Sequence, residues 1–135
     1  MAISYKPQLQ YVDFQDLTEQ IQFQSTEGKI WLGEKRMPLM QLSALAAFRR
    51  EMVNTIGIER AKGFFLRLGY QSGLRDAELA RKLRPHCSEL DIFLAGPQLH
   101  SLTGMVKVVP IEIDIDQETG GFYGELDWID SFEVE

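Results

Sequence analysis

The chain has 135 residues, of which 44% are hydrophobic and 10% aromatic, enough to bury the core of one domain. Its longest uninterrupted apolar runs, such as Leu45 to Phe48, are only a few residues long and exclude a membrane span. The lone Cys87 excludes an internal disulfide and any multi-thiolate metal site made by this chain alone. No apolar signal region follows the N-terminus, so we expect a cytoplasmic protein.

The net charge of −6 is unevenly distributed along the chain. Residues 1–107 carry all 14 Lys and Arg against 11 acids, whereas Glu112 to Glu135 carry nine acids and no base. An acidic end of this kind argues against nucleic-acid binding by the whole chain.

In chain order, the first predicted elements are short strands. Alternation in residues 21–24 and 29–33, with turn residues at 27–28 and 33–34, is typical of short strands joined by tight turns. Such strands are too short to form a stable sheet alone, and residues 1–40 are therefore expected to mediate homodimerisation.

Helices are predicted for the middle of the chain. Apolar residues recur at helical spacing from Leu42 until Gly57 supplies a stop. From Ile58 to about Leu83 three glycines interrupt the pattern, so we expect two helices, or one held by close packing. Ser88 and Asp91 resemble a capping pair for a further helix, which Gly96-Pro97 is expected to kink or restart.

The last segment is predicted to be an antiparallel hairpin. Residues 105–115 and 122–129 alternate on either side of a turn-rich stretch, 116–121. In the second strand, Phe122, Leu126 and Trp128 share one face, which we expect to be buried. The fold class is therefore α/β (α+β), with N-terminal strands, central helices and a C-terminal hairpin in one unit.

The usual catalytic and phosphate-binding signatures are missing from the sequence. His86 and Cys87 are adjacent, but neighbouring side chains rarely face each other as nucleophile and base. Asp114, Asp116, Glu118 and Glu125 match a calcium loop in part, yet Thr119 stands where that loop needs glycine, which favours a plain hairpin turn. Neither catalysis nor a metal site is predicted.

His100 and Trp128 each bring a polar atom to a segment with apolar neighbours. Two hydrogen-bonding groups that open into an aromatic-lined cavity would suit a small hydroxylated ring. The alternative is that both residues pack in an ordinary core, and residue spacing alone favours this alternative.

Several stretches resemble the N-terminal sensor domain of the XylR/DmpR family of sigma-54-dependent transcription activators. The stretches are residues 27–37, 48–55, 59–74, 76–85, 93–100 and 128–134. The resemblance spans nearly the whole chain. It implies a sensor that binds a phenol-like aromatic effector and restrains an adjoining AAA+ ATPase domain until the effector arrives, without enzymatic activity.

The same resemblance implies roles for individual residues. In the phenol-sensing branch the matching histidine and tryptophan hold the phenol hydroxyl, which implies that role for His100 and Trp128. The xylene-sensing branch has tyrosine at the histidine position, so His100 implies a phenolic effector. Phe93 and Leu126 would line the pocket, with Val108 beside them, and Leu126 stands where phenol sensors carry phenylalanine. Toluene, benzene and xylene are alternative effectors, and a scaffold or dimerisation domain without ligand is a further alternative.

The resemblance also implies that residues 1–135 form a sensor domain truncated at its C-terminus. The family's sensor continues into a segment with a cysteine-rich zinc site, whose cysteines do not occur in this sequence. No cofactor is therefore expected for this chain, and zinc only together with the missing segment.

Overall fold

Four α-helices and two three-stranded antiparallel sheets make up residues 2–5 and 14–131, the part of the chain described by the computed structural model. The predicted α/β (α+β) class is confirmed. The strands are β1 (Ala2–Tyr5), β2 (Ile21–Gln24), β3 (Lys29–Leu32), β4 (Lys35–Met37), β5 (Lys107–Asp116) and β6 (Gly121–Ile129); the helices are α1 (Gln15–Thr18), α2 (Leu42–Ile56), α3 (Ile58–Leu83) and α4 (Glu89–Leu102).

The predicted N-terminal strands are present and pair within one chain, in the order β2-β3-β4. Gly28 and Gly33 make the turns with φ of 64° and 58°, a region that glycine enters without a steric penalty. The sheet is anchored by Leu32, which is buried in the core. Dimerisation through residues 1–40 stays a prediction, and residues 1 and 6–13 of that segment lie outside the described part.

Helices α2 and α3 form a helical hairpin around Gly57, whose φ of 81° ends α2 where the sequence predicted a stop. Of the two expectations for residues 58–83, the single helix is correct: α3 is continuous over 26 residues. No residue of α2 is buried, and its Phe48 contacts Phe65 of α3 edge-on, with ring centroids 6.4 Å apart. The hairpin is therefore packed tightly to the core only at the C-terminal end of α3.

The main core joins α1, β3, the last turns of α3, and α4. At its centre Leu17 and Ala95 have no exposed surface, and their neighbours are almost as well buried. Burying one such side chain stabilises the fold by about 1.5–3 kcal/mol. The core residues are Leu17, Leu32, Leu79, Ala80, Leu83, Ala95 and Leu99.

Helix α4 begins as predicted and continues further than predicted. The Ser88 hydroxyl accepts a hydrogen bond from the Asp91 backbone N–H at 3.1 Å, which confirms the capping pair. The helix does not restart at Pro97 but runs through it to Leu102.

The C-terminal hairpin is present as predicted, with β5 and β6 antiparallel and β1 on the other edge of β5. A bulge between Pro110 and Glu112 interrupts the pairing. The Asp116 carboxylate accepts hydrogen bonds from the Glu118 and Thr119 N–H groups and from the Thr119 hydroxyl, which fixes the turn. No helix within the described ranges combines the length and the apolarity that a bilayer crossing requires.

Candidate functional site

An open groove between α4 and β6 brings together the side chains that the sequence singled out. At one end the His100 and Trp128 rings lie with centroids 6.1 Å apart and planes inclined by 55°. At the other end the Phe93 and Phe122 rings are 4.8 Å apart. Phe93 and His100 are seven residues apart on α4, so about 10 Å separates the two ring pairs along the helix.

His100 occupies the last turn of α4 and is half-buried. Its Nδ1 lies 3.0 Å from the Gly96 carbonyl oxygen. A carbonyl only accepts hydrogen bonds, so Nδ1 carries a proton and donates it. In the neutral ring this leaves a lone pair on Nε2, and His100 can then accept one hydrogen bond.

Trp128 stands on β6 directly opposite Val108 of β5, its partner in the strand pairing. Its indole N–H is a donor only. Within the described residues neither this N–H nor His100 Nε2 has a hydrogen-bond partner. The groove therefore offers one donor and one acceptor beside apolar side chains.

The sequence analysis was wrong about the burial of this face of β6. Phe122 is 55% exposed and Trp128 60% exposed, and only Leu126 is half-buried. The reason is that α4 contacts this face through one ring pair at each end. Between the ends, Gly124 leaves the row without a side chain, and the Phe122 ring lies over that position: an added Cβ would be 2.7 Å from Phe122 Cζ.

The end of α4 is tied to the sheet by a short chain of hydrogen bonds. The Ser101 hydroxyl donates to the Pro97 carbonyl at 3.4 Å and accepts from the Val108 N–H at 3.0 Å. Because Ser101 follows His100 and Val108 pairs with Trp128, this link holds His100 and Trp128 in position relative to each other.

A cleft of about 590 Å³ opens at the Phe93 end of the groove. Phe93 and Phe122 form its apolar wall, and Glu89 and Asp116 stand at its rim. His100 and Trp128 do not line it, so the polar pair lies outside the cleft, near the C-terminal end of α4. Val108 and Leu126, both half-buried, stand on the strands nearer the polar pair.

Sequence reasoning missed a carboxylate near His100. Asp76 projects from the stripe of α3 that carries the buried Leu79, Ala80 and Leu83, and partial burial raises its pKa, while the positive charge of a protonated His100 lowers it. The sequence signal was the spacing of Asp76, which precedes three apolar residues by three, four and seven positions and therefore shares a helix face with them. These residues are Leu79, Ala80 and Leu83.

A second missed residue is Gln98, which is only 6% exposed on α4. Neither its Nε2 nor its Oε1 has a hydrogen-bond partner among the described residues. A buried unsatisfied amide costs about 1–3 kcal/mol, so this side chain needs a partner such as an ordered water. Its place four residues after the buried Leu94 was the sequence signal.

The residues present do not form a metal site. No group of three or more His, Cys, Asp or Glu within residues 14–131 is arranged to hold an ion. Cys87 is exposed, and the Asp116 oxygens are occupied by the turn. The zinc that the family resemblance implies for a longer domain therefore has no ligand set in the described chain.

Comparison with a solved structure gives a likeness over most of the fold. The chain superposes with a TM-score of 0.80 and 46% identity on the crystal structure of the phenol-responsive sensory domain of the transcription activator PoxR with phenol. The likeness covers 88% of this chain and 59% of that one.

Two curated proteins are similar over nearly the whole chain. One is the transcriptional regulatory protein XylR of Pseudomonas putida, 64% identical over all 135 residues. The other is the phenol regulator MopR of Acinetobacter guillouiae, 45% identical over 123 residues, or 91% of the chain. The chain spans about a quarter of the length of these relatives, 24% and 22%.

Residues 16–116 match the family described as activator of aromatic catabolism. The chain therefore belongs to the activators of aromatic catabolism, in the sensory part of the XylR-type transcription regulators.

Proposed function

We propose that this chain senses a phenol, whose hydroxyl binds between His100 and Trp128 in the groove between α4 and β6. The observation that carries the proposal is the hydrogen bond from His100 Nδ1 to the Gly96 carbonyl. It orients the imidazole so that Nε2 can accept, while the Trp128 indole N–H can only donate. A hydroxyl group both donates and accepts, and it complements this pair.

The ring of the effector would be held by apolar contact. Val108 and Leu126 are the apolar side chains nearest the polar pair, and Phe93 stands farther along α4; burying an aromatic ring against such side chains supplies most of the affinity. Leu126 replaces the phenylalanine expected in phenol sensors and leaves room for a ring substituent. A methylphenol or another substituted phenol is therefore the effector class that fits best.

Overall identity does not select the effector. The chain is more similar to XylR, at 64%, than to the phenol regulator MopR, at 45%. Recognition depends on a few side chains of the site, which contribute little to an identity counted over the whole chain. His100 is the side chain that favours a hydroxylated ring.

In a full-length activator this domain would control an ATPase domain. The length of the curated relatives, about four times that of this chain, supports the presence of further domains. We propose that phenol binding changes the contact with an adjoining AAA+ domain and relieves its restraint. ATP hydrolysis by the full-length protein should then rise with phenol concentration, and the half-maximal concentration should match the Kd of phenol for the sensor.

The proposal is tested by isothermal titration calorimetry with phenol, catechol, toluene and benzene. We expect saturable binding of phenol at one site per chain and weaker binding of toluene and benzene. The titrations use both the 135-residue chain and a chain extended to the length of the solved sensory domain. Absence of phenol binding by the extended chain would leave a scaffold without ligand as the explanation.

A sensor for non-hydroxylated aromatics is the second candidate. The 64% identity with XylR favours it. Binding of toluene at least as tight as binding of phenol would decide for this candidate. The domain is not expected to be an enzyme, so phenol should be recovered unchanged after incubation with it.

A further inference from the structure

Asp76 stands on the core-facing side of α3 and is half-buried. Leu79, Ala80 and Leu83 share that side of the helix and are buried. Among the residues that the structure describes, none forms a hydrogen bond or an ion pair with the Asp76 carboxylate. Because withdrawing an unpaired carboxylate from water costs free energy, Asp76 weakens the fold rather than stabilising it.

The packing of α3 on α4 brings Asp76 level with His100. The two helices are joined by residues 84–88 alone, and helices with so short a connection run antiparallel. Leu83 and Ile92 belong to the same core, next to the connection. Two turns back along α3 from Leu83 lead to Asp76, and two turns forward along α4 from Ile92 lead to Leu99, which His100 follows. The positive charge of a protonated His100 accordingly lowers the pKa of Asp76, although burial raises it more.

His100 lies where the face of α4 that meets α3 borders on the face that meets β6. It is placed about 100° around the helix from Leu99, which packs in the core with α3. Its ring approaches Trp128 of β6, with centroids 6.1 Å apart. Since Nδ1 donates to the Gly96 carbonyl, Nε2 is the ring nitrogen available to an effector.

A carboxylate in this position changes the imidazole as a hydrogen-bond acceptor. When Nε2 accepts a hydrogen bond from a hydroxyl group, the ring gains partial positive charge. The negative charge of Asp76 stabilises that charge, and partial burial reduces the screening by water. Hydrogen bonds assisted by a charge are roughly twice as strong as hydrogen bonds between neutral groups.

We propose that Asp76 is a positioning residue for effector recognition, whose carboxylate polarises His100 and strengthens Nε2 as the acceptor of a phenol hydroxyl. This inference rests on the proposed function. A more basic acceptor also distinguishes more strongly between hydroxyl groups of different acidity. The site therefore favours phenols whose ring carries an electron-withdrawing substituent.

Calorimetric titration with two pairs of ligands tests the proposal, using the same two chains as above. Phenol against benzene measures the contribution of the hydroxyl group. A meta-fluorophenol against fluorobenzene measures that of a more acidic hydroxyl, with the ring contacts of the fluorine cancelled. In the wild type the second ratio of affinities should exceed the first. Asp76→Asn should weaken phenol about threefold to tenfold, leave benzene unchanged and bring the two ratios together.

Three further variants show whether Asp76 acts through His100. Asp76→Glu keeps the charge and should keep most of the preference for phenol. Glu78→Gln is the matched control: it removes an exposed charge from the same helix that points about 160° away, and it should bind like the wild type. In a His100→Ala background, Asp76→Asn should not weaken phenol further.

The outcomes separate this inference from the function on which it rests. If the wild type binds benzene as tightly as phenol, the proposed function fails and the role of Asp76 fails with it. If the wild type prefers phenol and Asp76→Asn keeps both ratios, only the role of Asp76 is overturned. An equal loss for all four ligands would also overturn it, because Asp76 would then be a structural residue.

Discussion

Arg84 and Asp16, 68 residues apart in the chain, form a two-pronged ion pair. Arg84 Nε donates to Asp16 Oδ2 at 2.8 Å, and a second guanidinium nitrogen donates to Oδ1 at 2.9 Å. Arg84 also donates to the Asp91 carbonyl at 2.7 Å and is only 6% exposed. The pair therefore joins α1, the end of α3 and the start of α4 beneath the core.

Asp16→Asn should destabilise the fold by about 1–2 kcal/mol. The change leaves a buried guanidinium without its counter-charge, a loss that reaches 3–5 kcal/mol for fully buried pairs but is reduced here because Asp16 is 49% exposed. Urea denaturation at pH 7 measures it. The control is Asp127→Asn on exposed β6, and equal losses in the two variants would show that the pair contributes nothing.

The contribution of the Asp16–Arg84 pair to the stability of the fold should be lost in acid. The hydrogen bonds from Arg84 hold the pKa of Asp16 below its ordinary 3.8. A carboxyl with a lowered pKa in the folded state stabilises the fold above its unfolded pKa and stops doing so as the pH falls through the folded one. The difference between wild type and Asp16→Asn should therefore be constant from pH 7 to about 4 and shrink below that pH. A difference that persists at pH 2 would contradict the assignment.

A pair of glycine substitutions separates backbone conformation from packing. Gly28 and Gly33 both have positive φ, and alanine at either should cost about 1 kcal/mol. A Cβ at Gly28 would meet nothing, whereas at Gly33 it would lie 2.9 Å from Leu83 Cδ2 in the core. Gly33→Ala should therefore lose about 1–3 kcal/mol more in thermal or urea denaturation. Similar losses for the two variants would mean that Leu83 moves aside freely.

The sequence allowed the local structure to be predicted because local signals determine it. Gly57 ended α2, Ser88 capped α4 and the turn around Asp116 closed the hairpin where each was expected. The pairing of Asp16 with Arg84 was not predicted, since no local pattern connects residues so far apart. The exposure of Phe122 and Trp128 was not predicted either, because alternation shows which residues share a face and not whether another element covers it.

The candidate site depended on the family resemblance. From spacing alone, His100 and Trp128 were better explained as core residues, and the roles assigned to them came from the similar motifs. The structure adds what neither source gave: the Gly96 carbonyl that orients His100, and the Asp76 carboxylate near it. Both depend on the geometry of a helix turn or of two packed helices.

Asp76→Asn should raise the melting temperature at neutral pH. Partial burial raises the pKa of Asp76 above 3.8, an effect that the charge of His100 reduces but does not cancel. An acid whose pKa is raised on folding favours the folded state most below its unfolded pKa, and this stabilisation is lost as the pH rises through the folded pKa. At pH 7 the ionised, partly buried carboxylate of Asp76 therefore gives no stabilisation, and the neutral amide is preferred. Calorimetric melts should show the gain at pH 7 and its disappearance near pH 3.5. A lower melting temperature at pH 7 would mean that the Asp76 carboxylate has a compensating partner.

The contributions of His100 and Trp128 to binding can be measured separately with one variant of each residue and two ligands. His100→Ala removes the acceptor and should weaken phenol by about 1–3 kcal/mol, or roughly tenfold to a hundredfold, since an unmade buried hydrogen bond costs about that much. Trp128→Phe keeps an aromatic ring but removes the hydrogen-bond donor. The affinity for phenol should therefore fall, by a smaller factor than in His100→Ala. Toluene has no hydroxyl, so its affinity should change far less in both variants.

Calorimetric titration of phenol and toluene, with a melting curve for each variant, distinguishes recognition from packing. Trp128 is exposed, so Trp128→Phe should melt within a few degrees of wild type. His100→Ala loses the bond to Gly96 and some packing on α4, and it should melt earlier without losing toluene binding. If His100 were only a packing residue, both ligands would weaken by the same factor as the melting temperature falls. Such an equal loss would reject the ligand role of His100 and would leave the hydroxyl without an acceptor in this groove.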